Sequence, residues 1–460
     1  MKNEPDLLQA FAAFAANCRY EDLSPEAIDG AKKSILDTLG VMLAATGVEP
    51  AVRGVAELVQ ECGGAPEASI LGFGGRAPAV MAGFANGAMA HCLDFDDHAP
   101  EGHHPSSSIV PAALALAEKR GGISGRDLIT AVAMGQDMFL RIRRNVESVL
   151  DWHITTVVGV FSATATAAHV LGLNEEQTAN AMGIAAMQSC GTLELAYGTG
   201  SDLRGLYAGF STKGAVLSAL LAQKGVTGMR SFFEGKAGLF NVYFKGKYNR
   251  EKMLDGLGRV FSGGDILYKP WPSCGASHGF IHATLELMKE HQLTSDDIVE
   301  LRVNVGDFQK QLCEPIDARR RPGRAADAKF SIPFCVAVAA THGEVKVQNF
   351  FGEGLKDAKV HATADKVVPV FDAAFNWSEK LPKGRLDIVT RDGRTLSRVG
   401  ENVPGDEECP MSWDYIEKKF ADCAALAANH PGPEKIARTV KIVRTLETSA
   451  DATSIIKEMT

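Results

Sequence analysis

The chain has 460 residues, 45% hydrophobic and 23% charged, with 48 Lys+Arg against 56 Asp+Glu for a formal charge of −8. That length exceeds a single core, which stops growing near about 250–300 residues, so two or three domains are expected. The acidic balance argues against nucleic acid or an anionic membrane as partner. No window reads as the roughly 18 uncharged apolar residues of a membrane span, and the acid-bearing residues 1–6 do not read as a secretory signal. Nine cysteines, odd in number and without a Cys-x-x-Cys pair, exclude a disulfide framework or zinc ribbon and fit a reducing cytoplasm.

Residues 1–260 are rich in Ala and Gly and show helical periodicity. Ser24-Pro25 reads as an N-cap followed by Pro at the first helical position. Ser124 to Asp127 and Asn174 to Gln177 have capping-box form. Gly172 and Gly225 read as C-terminal stops. Runs of small residues, such as AVMAGFANGAMA over 79–90, let helix backbones approach closely. Near residue 265 the texture changes. Residues 298–305, 343–347, 366–370 and 385–389 alternate with period 2, and Arg391-Asp392-Gly393-Arg394 is a hairpin signal. Helices are expected over 279–291 and 331–342, then over 413–428 and 433–445. The expected fold is mainly α: a discontinuous all-helical domain over 1–267 and 405–460, and a smaller α+β lid domain over 268–404.

Four stretches can carry chemistry. In the first, Asp94, Asp96, Asp97, His98, His103 and His104 crowd into one loop containing Pro100 and Gly102. Ser106, Ser107 and Ser108 can cap the next helix, whose N-terminus then points free N–H groups at the same spot. This suits an anion site with acid–base groups. A capping loop with solvated charges, or a divalent metal site, are the alternatives. No H-E-x-x-H, EF-hand or facial-triad spacing occurs, so no metal is expected. In the second, His153 opens an apolar helix, a position where an isolated His is more often a cap or core residue. The third is the glycine-rich turn 198–205 before a helix expected over 206–224. It is a poor match to a phosphate cradle, but would bring Arg204 up to a carboxylate. In the fourth, Lys269-Pro270-Trp271-Pro272 and His278 lie on a stiff segment where Lys269 and His278 can face a cleft, or simply form a rigid hinge.

Together these stretches resemble the MmgE/PrpD family, which includes 2-methylcitrate dehydratase, cis-aconitate decarboxylase and iminodisuccinate epimerase. The resemblance runs through His91-x-x-Asp94-Phe95-Asp96-Asp97, His104-Pro105-Ser106, the segments 109–118, 122–129 and 169–185, Lys269-Pro-Trp-Pro272 and Lys329-Phe-Ser-Ile-Pro-Phe334. It implies a homodimer of helical and lid domains, with cofactor-free chemistry on a small di- or tricarboxylate between them. By resemblance to the decarboxylase branch, the active-site positions are Asp94, His104, His153 and Lys269. His98 stands where that branch has Thr and adds an acid–base group. Arg204 replaces a Lys, Tyr207 replaces a His, and Phe334 lacks a tyrosine's phenol. Arg204, Tyr207, Ser106 and His278 are expected to bind substrate. The implied activity is that of a 2-methylcitrate dehydratase-like lyase without cofactor or metal. An epimerase or decarboxylase using the same cleft is the alternative, and a catalytically silent binding protein of the same fold is another.

Overall fold

The computed structural model describes residues 5–147, 151–378 and 380–459. The chain is mainly helical, with two distinct hydrophobic bodies. The larger gathers buried side chains from Leu7 through Tyr268 together with Met411, Ile416, Phe420, Val443 and Met459. Its core is therefore closed by the C-terminal segment. The smaller surrounds a four-stranded sheet and the helices Gly275–Glu290 and Ile332–His342.

At the centre of the larger body lies the helix Ile154–Leu171. It is 18 residues long, with mean hydropathy 1.6, enough by length and composition to cross a membrane. The reading that no window reaches that length is corrected here: Thr, Ser and His are uncharged and keep the window apolar. The helix is 89% buried inside the protein, as a core helix would be.

Local signals place several boundaries. Ser24 accepts from the Ala27 N–H with Pro25 at the first helical position. Asn174 and Gln177 satisfy both halves of a capping box, whereas Ser124 makes only the forward bond, from the Asp127 N–H. Gly172 ends its helix in the left-handed region. The helices Ala79–His91 and Leu203–Gln223 pack through glycine. A Cβ on Gly209 would sit 2.6 Å from the Phe84 carbonyl oxygen. This close crossing sets the C-terminal end of the first helix beside Arg204 and Tyr207 of the second.

In the sheet, Ile298–Val305 is central. It runs parallel to Val367–Phe371 and antiparallel to Arg385–Thr390, which pairs with Thr395–Val399 across the Arg391–Arg394 turn. The strand expected over 343–347 is absent. Gly343 ends the preceding helix at φ 67°, and a 3-10 turn starts at Val347. Its period-2 pattern reflects Val345 and Val347 turning into apolar cores, not ladder pairing.

Candidate active site

The helix Ala79–His91 stops at Cys92, and Asp94 follows with φ 49°, a left-handed conformation that Asp tolerates better than most residues. The loop is tied across to the segment before Lys269 by paired backbone bonds between His98 and Leu267, 2.9 and 2.8 Å. Lys269 thereby reaches back: its ammonium ion-pairs with the Asp94 carboxylate and donates to the Asp94 carbonyl at 3.0 Å. Burial alone would raise the Asp94 carboxyl, but Lys269, His104 and His91 outweigh it and hold it well below the usual carboxylate range.

The imidazoles are fixed by what they touch. His104 Nδ1 lies 2.9 Å from the Asp97 carbonyl oxygen and 3.2 Å from Asp96 Oδ2. A carbonyl only accepts, so Nδ1 carries a proton, and in the neutral ring Nε2 is then the lone pair. That Nε2 is 3.7 Å from Asp94 Oδ1. His91 Nδ1 donates to the fully buried Asp96 carboxylate at 3.0 Å. Asp96 thus orients two imidazoles. Burial opposes its charge, yet His91 and His104 hold it ionised. His98 Nδ1 donates to the Ala99 carbonyl at 2.8 Å, and burial pushes this imidazole down to about 3. His153 sits at the N-cap of the central helix, is likewise pushed down to about 3 by burial, and its Nδ1 has no hydrogen-bond partner. Rings follow one another from His104 to His91, Tyr207 and His153, with successive centroids 4.6, 4.2 and 4.5 Å apart.

A cavity of about 100 Å³ opens between the two hydrophobic bodies. Asp94, His98, His104, His153, Arg204, Tyr207 and Lys269 all line it, and Phe308, Phe330, Trp377 and Leu381 close it from the other side. The structure therefore gathers seven of the nine expected site residues on one wall system.

Two expected residues lie elsewhere. Ser106 is fully buried behind the wall, where its hydroxyl accepts from Gln136 Nε2 at 2.9 Å. The helix already begins at Ser106, and none of Ser106, Ser107 or Ser108 caps it. His278 donates from Nε2 to the Ser273 carbonyl at 3.2 Å and faces a neighbouring cavity of about 140 Å³, which shares His98, Gly275 and Leu381 with the first. Arg204 also differs from expectation. It sits inside the first turn of Leu203–Gln223, and the glycine-rich turn before it docks on the lid half instead. Gly200 N–H donates to Asp327 at 3.2 Å, and Asp202 pairs with Arg324 at 3.1 Å.

Residues not singled out from the sequence complete the site. His91 and Asp96 were visible only as members of the polar run and of the family motif, with no role assigned. His103 joins the cavity wall, where its Nδ1 accepts from Arg143 Nε at 3.1 Å. His91, Asp94, Asp96 and His104 offer ligand atoms within 4.8 Å of one another, the kind of grouping that could hold a cation. Asp94 Oδ1 already pairs with the Lys269 ammonium and Asp96 with both imidazoles, whereas Asp94 Oδ2 has no hydrogen-bond partner.

The electrostatics set a pH dependence. His98 and His153 stay neutral when folded but gain protons below about 6.5 when unfolded, so stability is lost as pH falls from about 6.5 towards 3. Asp97 and Asp406, pushed up by burial to about 7 and about 6, have the opposite sign and lose stability as pH rises from about 4 to 7. His91, His103 and His278 are also lowered, so the imidazoles outnumber these two. The melting temperature is therefore expected to fall between pH 7 and 5, and His153→Phe should flatten that fall. An unchanged slope would contradict a buried neutral His153.

Residues 9–252 match the MmgE/PrpD N-terminal domain and residues 271–447 the MmgE/PrpD C-terminal domain. The chain is 26% identical to cis-aconitate decarboxylase of Aspergillus terreus, over 96% of this chain and 94% of that protein. It is 23% identical to the Mus musculus cis-aconitate decarboxylase, over 98% and 93%. It is 27% identical to 2-methylcitrate dehydratase of Salmonella typhimurium, over 84% and 82%. With both domains matched in order along nearly the whole length, the chain belongs to the MmgE/PrpD family.

Proposed function

We propose that this protein is a lyase that moves a proton at a carbon next to a carboxylate of a small di- or tricarboxylic acid, without a cofactor. The observation that carries this reading is Arg204. Its guanidinium is buried, stacks 3.1 Å from the Phe330 ring centroid and donates to the Ala196 carbonyl, yet makes no ion pair with any described carboxylate. Burial lowers it only to about 10, so it stays cationic at neutral pH. A desolvated, unneutralised cation on a cavity wall is an anion receiver.

The chemistry follows from the groups around it. A proton next to a carboxylate is weakly acidic, so the enediolate-like charge left behind needs cations. Arg204 grips one carboxylate. Lys269 spends two of its three donors on Asp94 and keeps one for the substrate. His104 Nε2 takes the proton, with Asp96 and the Asp97 carbonyl fixing its ring. Tyr207, at the far end of the aromatic row beside the neutral His153, keeps its phenol proton because burial raises it, and is the group that would protonate a leaving hydroxyl. Dehydration of a 2-methylcitrate-like hydroxy acid is the first reading. Decarboxylation of a cis-aconitate-like acid is the second, favoured by the more complete match to decarboxylases. The unpaired thiols, several buried, suit a reducing cytoplasm. Leu203 and Phe210, exposed on one face of their helix, suit a homodimer contact.

A panel of di- and tricarboxylates in deuterated buffer tests this reading. Alkene absorbance marks dehydration, carbon dioxide release marks decarboxylation, and deuterium wash-in without net reaction marks epimerisation. No reaction with any acid would overturn it. Arg204→Gln is expected to cost on the order of 1.5–3 kcal/mol in kcat/KM, with competitive dicarboxylate inhibitors weakening in parallel. Unchanged inhibitor affinity would remove Arg204 from substrate binding.

A further inference from the structure

Three lysines from distant parts of the chain converge on one short loop. Lys329 donates to the Cys92 carbonyl, Lys269 to the Asp94 carbonyl at 3.0 Å, and Lys419 to the Phe95 carbonyl at 2.6 Å. All three are buried. Lys269 lies between the two bodies, Lys329 ends the short helix Ala325–Lys329 of the sheet-bearing half, and Lys419 belongs to the C-terminal helix Trp413–Ala424.

The loop requires such partners. The loop leaves the helix Ala79–His91 at the negative end of its dipole, where cations are favoured, and its carbonyls at Cys92, Asp94 and Phe95 belong to buried residues and need donors. Asp94 then adopts φ 49°, a left-handed conformation that persists outside glycine only where the surroundings over-determine it. Burying an ammonium is itself unfavourable unless it is paired. Lys419 has Asp37 at 2.7 Å and Lys269 has Asp94, but the nearest carboxylate to Lys329 is Glu49 at 3.9 Å. Neither Lys329 nor Lys419 lines the catalytic cavity.

We infer that Lys329 and Lys419 are positioning residues that hold the 92–97 loop so that Asp94 and Asp96 keep Lys269 and His104 aimed into the cavity. Lys329 makes this geometry depend on the docked sheet-bearing half, and Lys419 makes it depend on the C-terminal segment. The inference rests on the reading of this cavity as catalytic.

Two variants test it: Lys329→Met, and the pair Lys419→Met with Asp37→Asn, which removes the clamp without stranding a buried carboxylate. Each is assayed for kcat and KM, and its resting histidine ring nitrogens are recorded by NMR. The expected result is a kcat lower by about 100-fold, as misplacement of catalytic groups by about 1 Å produces, with KM within about threefold. The His104 ring should also lose its single Nδ1–H tautomer, and Lys329→Arg, which keeps a donor, should recover about tenfold in kcat. Wild-type kcat together with an unchanged His104 spectrum in either variant would overturn the role of that lysine. If Lys329→Met does not fold, Lys329→Arg and the paired variant decide. If the wild-type protein turns over no carboxylic acid, the functional reading fails, while the His104 spectrum still judges the clamp.

Discussion

His104→Gln is expected to lower kcat by about 10²–10⁴ while leaving the fold intact, the usual loss on removing a general base. Glutamine is the informative replacement. Its amide can still donate to the Asp97 carbonyl, which His104 Nδ1 does at 2.9 Å, so the loop keeps that anchor. What disappears is the basic lone pair at Nε2, held beside Asp94 and facing the cavity. The check is kcat alongside the melting temperature. A variant that keeps its melting temperature and turns over within about threefold of wild type would remove His104 as the base.

The second large effect is on stability. Lys269 and Asp94 form a buried ion pair, each at most 2% exposed. Removing one partner of such a pair strands the other charge and typically costs about 3–5 kcal/mol. Lys269→Met is therefore expected to be strongly destabilised at neutral pH. The sign of its pH dependence should also change. With Lys269 present, Asp94 is held below its unfolded value and contributes stability above about pH 4. Without it, burial dominates and raises the carboxyl, so the variant should lose stability as pH rises above about 4. Adding Asp94→Asn removes the stranded charge and should restore most of the stability, but not turnover. Chemical denaturation at several pH values reads all three effects. A single variant as stable as wild type would show that the pair contributes little to folding.

Much of this fold was legible because its signals are local. Ser24-Pro25, the Asn174 to Gln177 box and the Arg391–Arg394 turn each depend on residues a few positions apart. The polar run after His91 was equally visible, since a loop rich in Asp and His stands out from Ala-rich helices. What stayed hidden is direction and distance. Ser106 and His278 have suitable chemistry, but packing turns Ser106 towards Gln136 and His278 towards Ser273. Arg204 was placed on a turn because glycines precede it; the helix starts one residue before it, and the turn serves the lid contact. Lys329 and Lys419 lie 237 and 324 residues from the carbonyls they hold; Lys329 was visible only as the start of a family segment, with no sign of its partner, and nothing in the neighbours of Lys419 marks it. The 343–347 segment shows the opposite failure, a strand pattern produced by two valines burying themselves from a turn.

The measurement that bears most directly on the proposed chemistry is deuterium transfer by chelator-treated protein. The wild-type enzyme and His104→Gln are incubated with the reactive acid in deuterated buffer, and label at the carbon next to the carboxylate is followed by NMR. The expected result is transfer at that carbon by wild-type protein at the rate of turnover, with no added metal, and its near-abolition in His104→Gln. Transfer that requires a divalent ion, or that proceeds undiminished without the His104 imidazole, would contradict a cofactor-free proton transfer centred on this cavity.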